Sequence, residues 1–158
     1  MESRWLGRLT GSALVNVDTD LPYPETADLD DPVRAGATAK AVWIPNRNGV
    51  FINIAAAFAE AMGCGGVLVG FNREEAATFP DNTVEYMDAA TLSLSFSTAN
   101  QVRVVSPTAS LDKREIVALG RSLDAPLDLC WPCYGGGPTL CGKCESCRRF
   151  HRAMGQSI

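Results

Sequence analysis

From Asn48 to about Met62, the apolar residues Phe51, Ile54, Phe58 and Met62 recur at helical spacing on an alanine-rich body, with Pro45 just upstream as a boundary. The spacing predicts an amphipathic helix with that stripe as its apolar face. The turn Gly63-Cys64-Gly65 leads into Gly66-Val67-Leu68-Val69-Gly70, a continuous apolar run of the kind found in a parallel strand covered on both faces. A second helix is predicted from Thr83 to about Leu94, using Val84, Met87 and Leu94, and a second strand over Val102-Arg103-Val104-Val105. Asp112-Lys113-Arg114-Glu115 then reads as a capping box opening a helix that buries Ile116, Leu119 and Leu123. Helices alternating with strands predict an α/β layer fold with a parallel sheet. Ligands in such folds sit beyond the carboxyl ends of the strands, here the loops after Gly70 and Val105.

One segment breaks the pattern. From Val15 to Val33 the chain carries six acids (Asp18, Asp20, Glu25, Asp28, Asp30, Asp31), three prolines and no base. It reads as a long exposed loop, extending over 15–38, that is either a solvated connector or a substrate-covering lid. The whole chain has a net charge of −4 and this segment holds −6, so the remainder carries +2. That balance gives no electrostatic reason to expect an extended nucleic-acid groove. With 158 residues, 46% of them hydrophobic, the chain has material for one packed structural domain and is not a disordered tail. No apolar run is long enough to cross a bilayer, and MESRWLGRLT lacks the features of a signal peptide, so a cytoplasmic protein is expected.

Within that domain, 1–128 reads as the α/β ligand-binding part and 129–158 as a metal-binding loop followed by a helix. Cys133-x7-Cys141-x2-Cys144-x2-Cys147 brings four thiols into a short stretch, with Gly135, Gly136, Gly137 and Gly142 supplying tight turns. Four thiolates suit tetrahedral zinc in a structural role, because no coordination position stays open for water or substrate. An iron–sulfur cluster and free thiols are the alternatives; the closing cysteine and proline of a bacterial ferredoxin run are missing. Cys130 offers a different first ligand. Lys143, Arg148, Arg149 and Arg152 either offset the −2 charge of such a site or form a solvated basic helix. Cys64 reads as a small semi-buried residue, and His151, the only histidine, as incidental.

Several stretches, taken in order, resemble one family: Trp43-Ile44-Pro45-Asn46-Arg47-Asn48; Gly70-Phe71-Asn72-Arg73-Glu74-Glu75 through Phe79-Pro80-Asp81; Asp112-Lys113-Arg114-Glu115-Ile116; Cys130-Trp131-Pro132-Cys133-Tyr134; and Cys141-Gly142-Lys143-Cys144-Glu145-Ser146-Cys147. The chain resembles the 7-cyano-7-deazaguanine synthases of the queuosine pathway, within the PP-loop (adenine nucleotide α-hydrolase-like) ATPases, over nearly its whole length. The resemblance implies a Rossmann-like fold and a C–N ligase that uses ATP, Mg²⁺ and ammonia to turn 7-carboxy-7-deazaguanine into the nitrile. The steps it implies are an adenylated carboxylate, an amide, and a second activation that dehydrates the amide. It also implies a homodimer, and it selects Cys133, the cysteine followed by tyrosine, over Cys130.

The resemblance gives Arg47 and Lys113 catalytic roles at phosphate or carboxylate oxygens. Asn46, Asn48, Gly70, Asn72, Glu75, Pro80 and Asp81 become substrate- or nucleotide-binding, with Glu75 or Asp81 as candidates for Mg²⁺ or the guanine-like edge. By residue chemistry alone Asn46-Arg47-Asn48 also suits a plain helix cap, and Lys113 a solvated first turn. Three departures stand out: Glu75 replaces a common aspartate, Phe79 a common tyrosine, and Cys130 and Pro132 flank Trp131 where threonine and serine are common. The sequence contains no Ser-Gly-Gly-x-Asp-Ser, the phosphate-cradling loop of these ATPases. Gly63-Cys64-Gly65-Gly66 precedes a strand instead of following one and does not replace it. The expectation is an N-terminally truncated copy, one half of a split enzyme whose partner chain carries the loop, or a chain without ATPase activity. A non-catalytic zinc-stapled interaction module is the alternative of a different class.

Overall fold

The computed structural model describes Trp5, residues 8–16 and residues 18–156. In chain order a 3-10 turn, Thr26–Asp30, precedes α1 (Pro32–Ala41), α2 (Arg47–Ala61), β1 (Gly66–Leu68), α3 (Arg73–Ala76), α4 (Val84–Ser97), β2 (Arg103–Val105), α5 (Lys113–Ser122) and α6 (Glu145–Met154). They form two compact units, Asn46–Asp112 and Met1–Pro45 with Lys113–Ile158.

In the unit Asn46–Asp112, β1 and β2 pair in parallel with Val67 opposite Val104. The ladder continues past the strand end, where the Val69 amide donates to the Val105 carbonyl at 2.9 Å. Val67 and Val104 face a core with Ile52, Ala56 and Ala59 of α2, Phe71, Met87 and Leu94 of α4, and Val102. A mixed α/β fold with a parallel sheet is therefore present. α4 starts where the Thr83 hydroxyl accepts the Tyr86 amide at 3.1 Å, an N-cap that the sequence places one residue before the helix.

The face of α2 differs from expectation. Phe51, Phe58 and Met62 are exposed, and Ile52, Ala56 and Ala59 are buried instead. The helix is apolar nearly all round, so periodicity alone does not choose its inner face, and alanines let it approach the strands closely. The strand run expected to be covered on both sides is covered on one: Leu68 is 76% exposed. Val84, expected on the inner face of α4, is also exposed, and Met87 and Leu94 carry the contact.

The second unit corrects two further expectations. The acidic stretch is not a loop throughout, because the 3-10 turn and α1 occupy it from Thr26 to Ala41. The Asp31 carboxylate accepts the Val33 and Arg34 amides at 2.8 and 3.2 Å, and Pro32 takes the first helical position. An Asp-Pro pair thus starts a helix inside a segment whose charge suggested none. α5 buries Val117, while Leu119 and Leu123 are exposed. Gly120 lies under Leu127, whose methyl would stand 3.0 Å from an added Cβ, so the inward face passes through a residue with no side chain. Back in the unit Asn46–Asp112, Cys64 is exposed, not semi-buried. Among the described residues, no helix is long and apolar enough to cross a membrane.

Candidate functional site

The carboxyl ends of β1 and β2 carry a linked set of loops. The Phe71 carbonyl accepts both the Ser106 and Thr108 hydroxyls, at 2.7 and 2.8 Å, which fastens the loop after β1 to the loop after β2. The Arg73 amide donates to the Leu111 carbonyl at 2.9 Å, and its guanidinium meets Asp112 at 3.3 Å. Asn72 is buried, and its side-chain oxygen caps α3 by accepting the Glu75 amide at 3.0 Å. Asn72 and Glu75 are thereby held at a fixed spacing just beyond Gly70. Ser106 and Thr108 are structural members of the site that sequence reading missed; two hydroxyls directly after a strand end were the available signal.

The start of α2 joins the same region. Asn46 sits in left-handed backbone at φ 52° with no side-chain cap, so the first-turn amides of α2 are left to other acceptors. Its side-chain oxygen lies where a Cβ on Gly49 would stand, and the Tyr86 hydroxyl is 3.0 Å from that position; only glycine fits there. The Asn48 amide reaches the Asp81 carbonyl at 3.5 Å, and Asp81 in turn accepts the Asn82 amide at 3.0 Å. Pro80 opens the short 3-10 turn that presents Asp81. Burial, and next the Asp81 carboxylate, raise the Tyr86 hydroxyl above its usual range. Among the described residues the Arg47 side chain makes no hydrogen bond or ion pair.

An open pocket of about 260 Å³ lies beside β1, bounded by Asn48, Phe51, Ile52 and Ala55 of α2 and by Val67 through Phe71. Asn48 and Gly70 are its members from the predicted set. The unit therefore gathers Asn46, Arg47, Asn48, Gly70, Asn72, Glu75, Pro80 and Asp81 around the strand ends and the start of α2. Lys113 is the first residue of α5 and belongs to the other unit.

In that other unit Cys133, Cys141, Cys144 and Cys147 place their sulfurs within 4.8 Å of one another. A tetrahedron with zinc–sulfur bonds of about 2.3 Å has sulfur–sulfur edges of about 3.8 Å, and Cys141 and Cys147 stand at 3.9 Å. Backbone amides point at the sulfurs: Gly135 and Cys141 donate to Cys133 at 3.3 and 3.4 Å, and Cys144 donates to Cys141 at 3.3 Å. Such donors stabilise thiolate, and the donor set and spacing fit a structural zinc ion. Burial raises the Cys141 thiol, but the amides of Cys144 and Lys143 outweigh it and bring it down to about 6. Burial also pushes Cys147 up to about 12 and raises Cys144. Zinc binding here must displace protons. Cys130 is exposed and outside the cluster.

The basic residues of α6 do not form the solvated face that was one of the two expectations. Arg149 is buried; it pairs with Glu145 at 2.8 Å and donates to the Leu29 carbonyl at 2.9 Å. Arg152 meets both Asp30 oxygens at 2.8 and 2.9 Å, and Arg148 reaches the Thr26 hydroxyl at 3.1 Å. They hold the acidic segment instead of facing solvent. His151 contacts Gln156 at 2.9 Å near the helix end.

A parallel α/β unit with polar side chains gathered at its strand ends, together with four converging thiols able to hold a metal ion, defines a mixed α/β protein with a four-cysteine cluster. The family model for queuosine biosynthesis protein QueC matches residues 1–157, and the chain belongs to that family. It is 54% identical to the 7-cyano-7-deazaguanine synthase of Desulforamulus reducens over 98% of this chain and 68% of that protein. The synthase of Pelotomaculum thermopropionicum is 54% identical over 97% of this chain and 69% of its own length. That of Desulforudis audaxviator is 56% identical over 84% and 60%. The chain thus spans 60–69% of the length of these relatives.

Proposed function

We propose that this chain acts in the ATP-dependent conversion of 7-carboxy-7-deazaguanine and ammonia to 7-cyano-7-deazaguanine. The observation that carries this reading is the family match over residues 1–157. The substrate carboxylate attacks the α-phosphorus of ATP and expels pyrophosphate; ammonia then displaces AMP to leave an amide. A second adenylation, on the amide oxygen, lets AMP leave as the C≡N bond forms. Mg²⁺ supplies charge neutralisation for the departing pyrophosphate.

The chain's own residues bind and orient. Arg47, with its guanidinium unengaged by any described residue, and the uncapped amides of α2 suit an anion. Lys113 takes a phosphate-directed role in this reading. Asn46, Asn48, Asn72, Glu75 and Asp81 supply amide and carboxylate partners for the deazaguanine edge or for Mg²⁺, while Gly70 and Pro80 shape the loops that present them. The phosphate-cradling loop comes from outside these 158 residues, from a longer form of the chain or a partner chain, and the working enzyme is a homodimer in the cytoplasm.

Mass-spectrometric detection of the nitrile, after incubating the zinc-loaded protein with 7-carboxy-7-deazaguanine, ATP, Mg²⁺ and ammonium, tests the reading against an active full-length synthase. Joined to the missing loop, the chain is expected to turn over. Substitution Arg47→Ala then lowers kcat/KM at least about 100-fold, the scale of losing one charge-stabilising donor. Failure of the loop-complemented chain even to bind 7-carboxy-7-deazaguanine would favour the interaction-module alternative.

A further inference from the structure

The arginines of α6 connect two features that the strand-end site does not use. α6 is ten residues long, capped at its start by Cys144 and carrying Cys147 in its first turn. Both are completely buried. From the same helix Arg148, Arg149 and Arg152 reach Thr26, Leu29 and Asp30 of the acidic 3-10 turn. Leu29, between those contacts, is buried. A helix this short is marginal in water without tertiary support, and its first turn lacks a side-chain hydrogen-bonded cap. At its other end the Arg121 guanidinium of α5 donates to the Met154 carbonyl at 2.9 Å.

We propose that α6 is a latch: metal at the four cysteines fixes its first turn, and its arginines thereby hold segment 25–31 in place. The proposal rests on the four cysteines binding zinc. With the metal gone, the first turn loses two of its anchors and the guanidiniums lose their fixed spacing. The acidic segment keeps Arg34 on Asp28 and Asp31 but loses the arginines on Glu25 and Asp30, and repulsion among its carboxylates then loosens the helical turn. Coupling of this kind is reciprocal, so the carboxylate contacts must also tighten metal binding.

Hydrogen exchange read by mass spectrometry, on zinc-loaded and chelator-treated protein with zinc stoichiometry measured in parallel, tests this. Amides in 25–31 should exchange about tenfold faster or more once zinc is removed, while those in β1, α4 and β2 stay as they were. In the zinc-loaded state Arg152→Ala should speed exchange in 25–31 alone. It should also weaken zinc in a chelator competition about fivefold or more, within the usual range of coupling factors. Asp30→Asn, at an exposed position that does not threaten folding, should do the same from the other side. Arg103→Ala, in the other unit, should change neither reading. Zinc bound with 25–31 indifferent to its removal overturns the latch alone, as does exchange rising equally along the whole chain or zinc affinity unmoved by both variants. Absence of bound zinc overturns the metal reading and the latch together.

Discussion

The two units solve the same problem with different materials. The unit Asn46–Asp112 buries Ile52, Val67, Phe71, Met87, Leu94, Val102 and Val104 in one apolar cluster. The other unit buries Leu29, Val42 and Val117 with two alanines, two cysteines and an ion pair. Apolar burial is non-directional and scales with area, whereas thiolates and guanidiniums hold only the partners they are aimed at. The first unit should therefore fail gradually as its core is eroded, and the second abruptly as single cross-links are cut.

Metal removal should produce the largest effect. Structural zinc contributes an apparent binding energy of about 10–16 kcal/mol in small zinc-finger peptides. Chelation or Cys144→Ser is expected to abolish cooperative unfolding of the cysteine-bearing unit and leave protection in 46–112 in place. Amide exchange resolved by segment reads both. A chelated protein that keeps α6 fully protected would show that the thiol cluster is not what supports that unit.

Next in size is Arg149→Ala. Removing one partner of a buried ion pair leaves the other charge stranded, at a cost of about 3–5 kcal/mol, and here Glu145 would be stranded with its side chain only 10% exposed. The loss should appear in urea denaturation of the zinc-loaded protein. In the other unit Leu94→Ala should cost about 2–5 kcal/mol through lost contact and a residual cavity. Leu94 is 3% exposed, and the change should leave zinc affinity untouched. Equal sensitivity of zinc affinity to both substitutions would erase the distinction between the units.

How much of this was legible in the sequence follows the same division. α2, α4, β1 and β2 could be placed because each is an apolar run between turns; the short polar helix α3 could not, nor could the face of α2 that is buried. The stripe Phe51, Phe58, Met62 and the buried set Ile52, Ala56, Ala59 are both apolar, and only the close approach to β1 and β2 distinguishes them. The convergence of Cys133, Cys141, Cys144 and Cys147 was readable because four sulfurs at short spacing have few other uses. The arginine contacts were not readable: Arg152 and Asp30 are 122 residues apart, and no local rule couples them. The strand-end residues were singled out through family resemblance, while the hydroxyl clamp of Ser106 and Thr108 on Phe71 needed the structure.

The smallest expected effect sharpens the comparison most, because it sets one guanidinium against another within one unit. Arg34 meets Asp28 at 2.6 Å, closer than Arg149 meets Glu145, but the Arg34 side chain is 63% exposed where that of Arg149 is 8%. Distance alone would rank Arg34 first. Solvent screening and the entropy of holding a long exposed side chain reverse the order and leave such pairs about 0.2–1 kcal/mol. Arg34→Ala is therefore expected to lower stability by less than about 1 kcal/mol. The difference should shrink toward zero near 1 M salt, where the screening length falls to about 3 Å. Urea titrations of both variants at low and high salt check this. A loss from Arg34→Ala as large as that from Arg149→Ala, or one that persists at high salt, would mean that contact length and not burial ranks the cross-links of this unit.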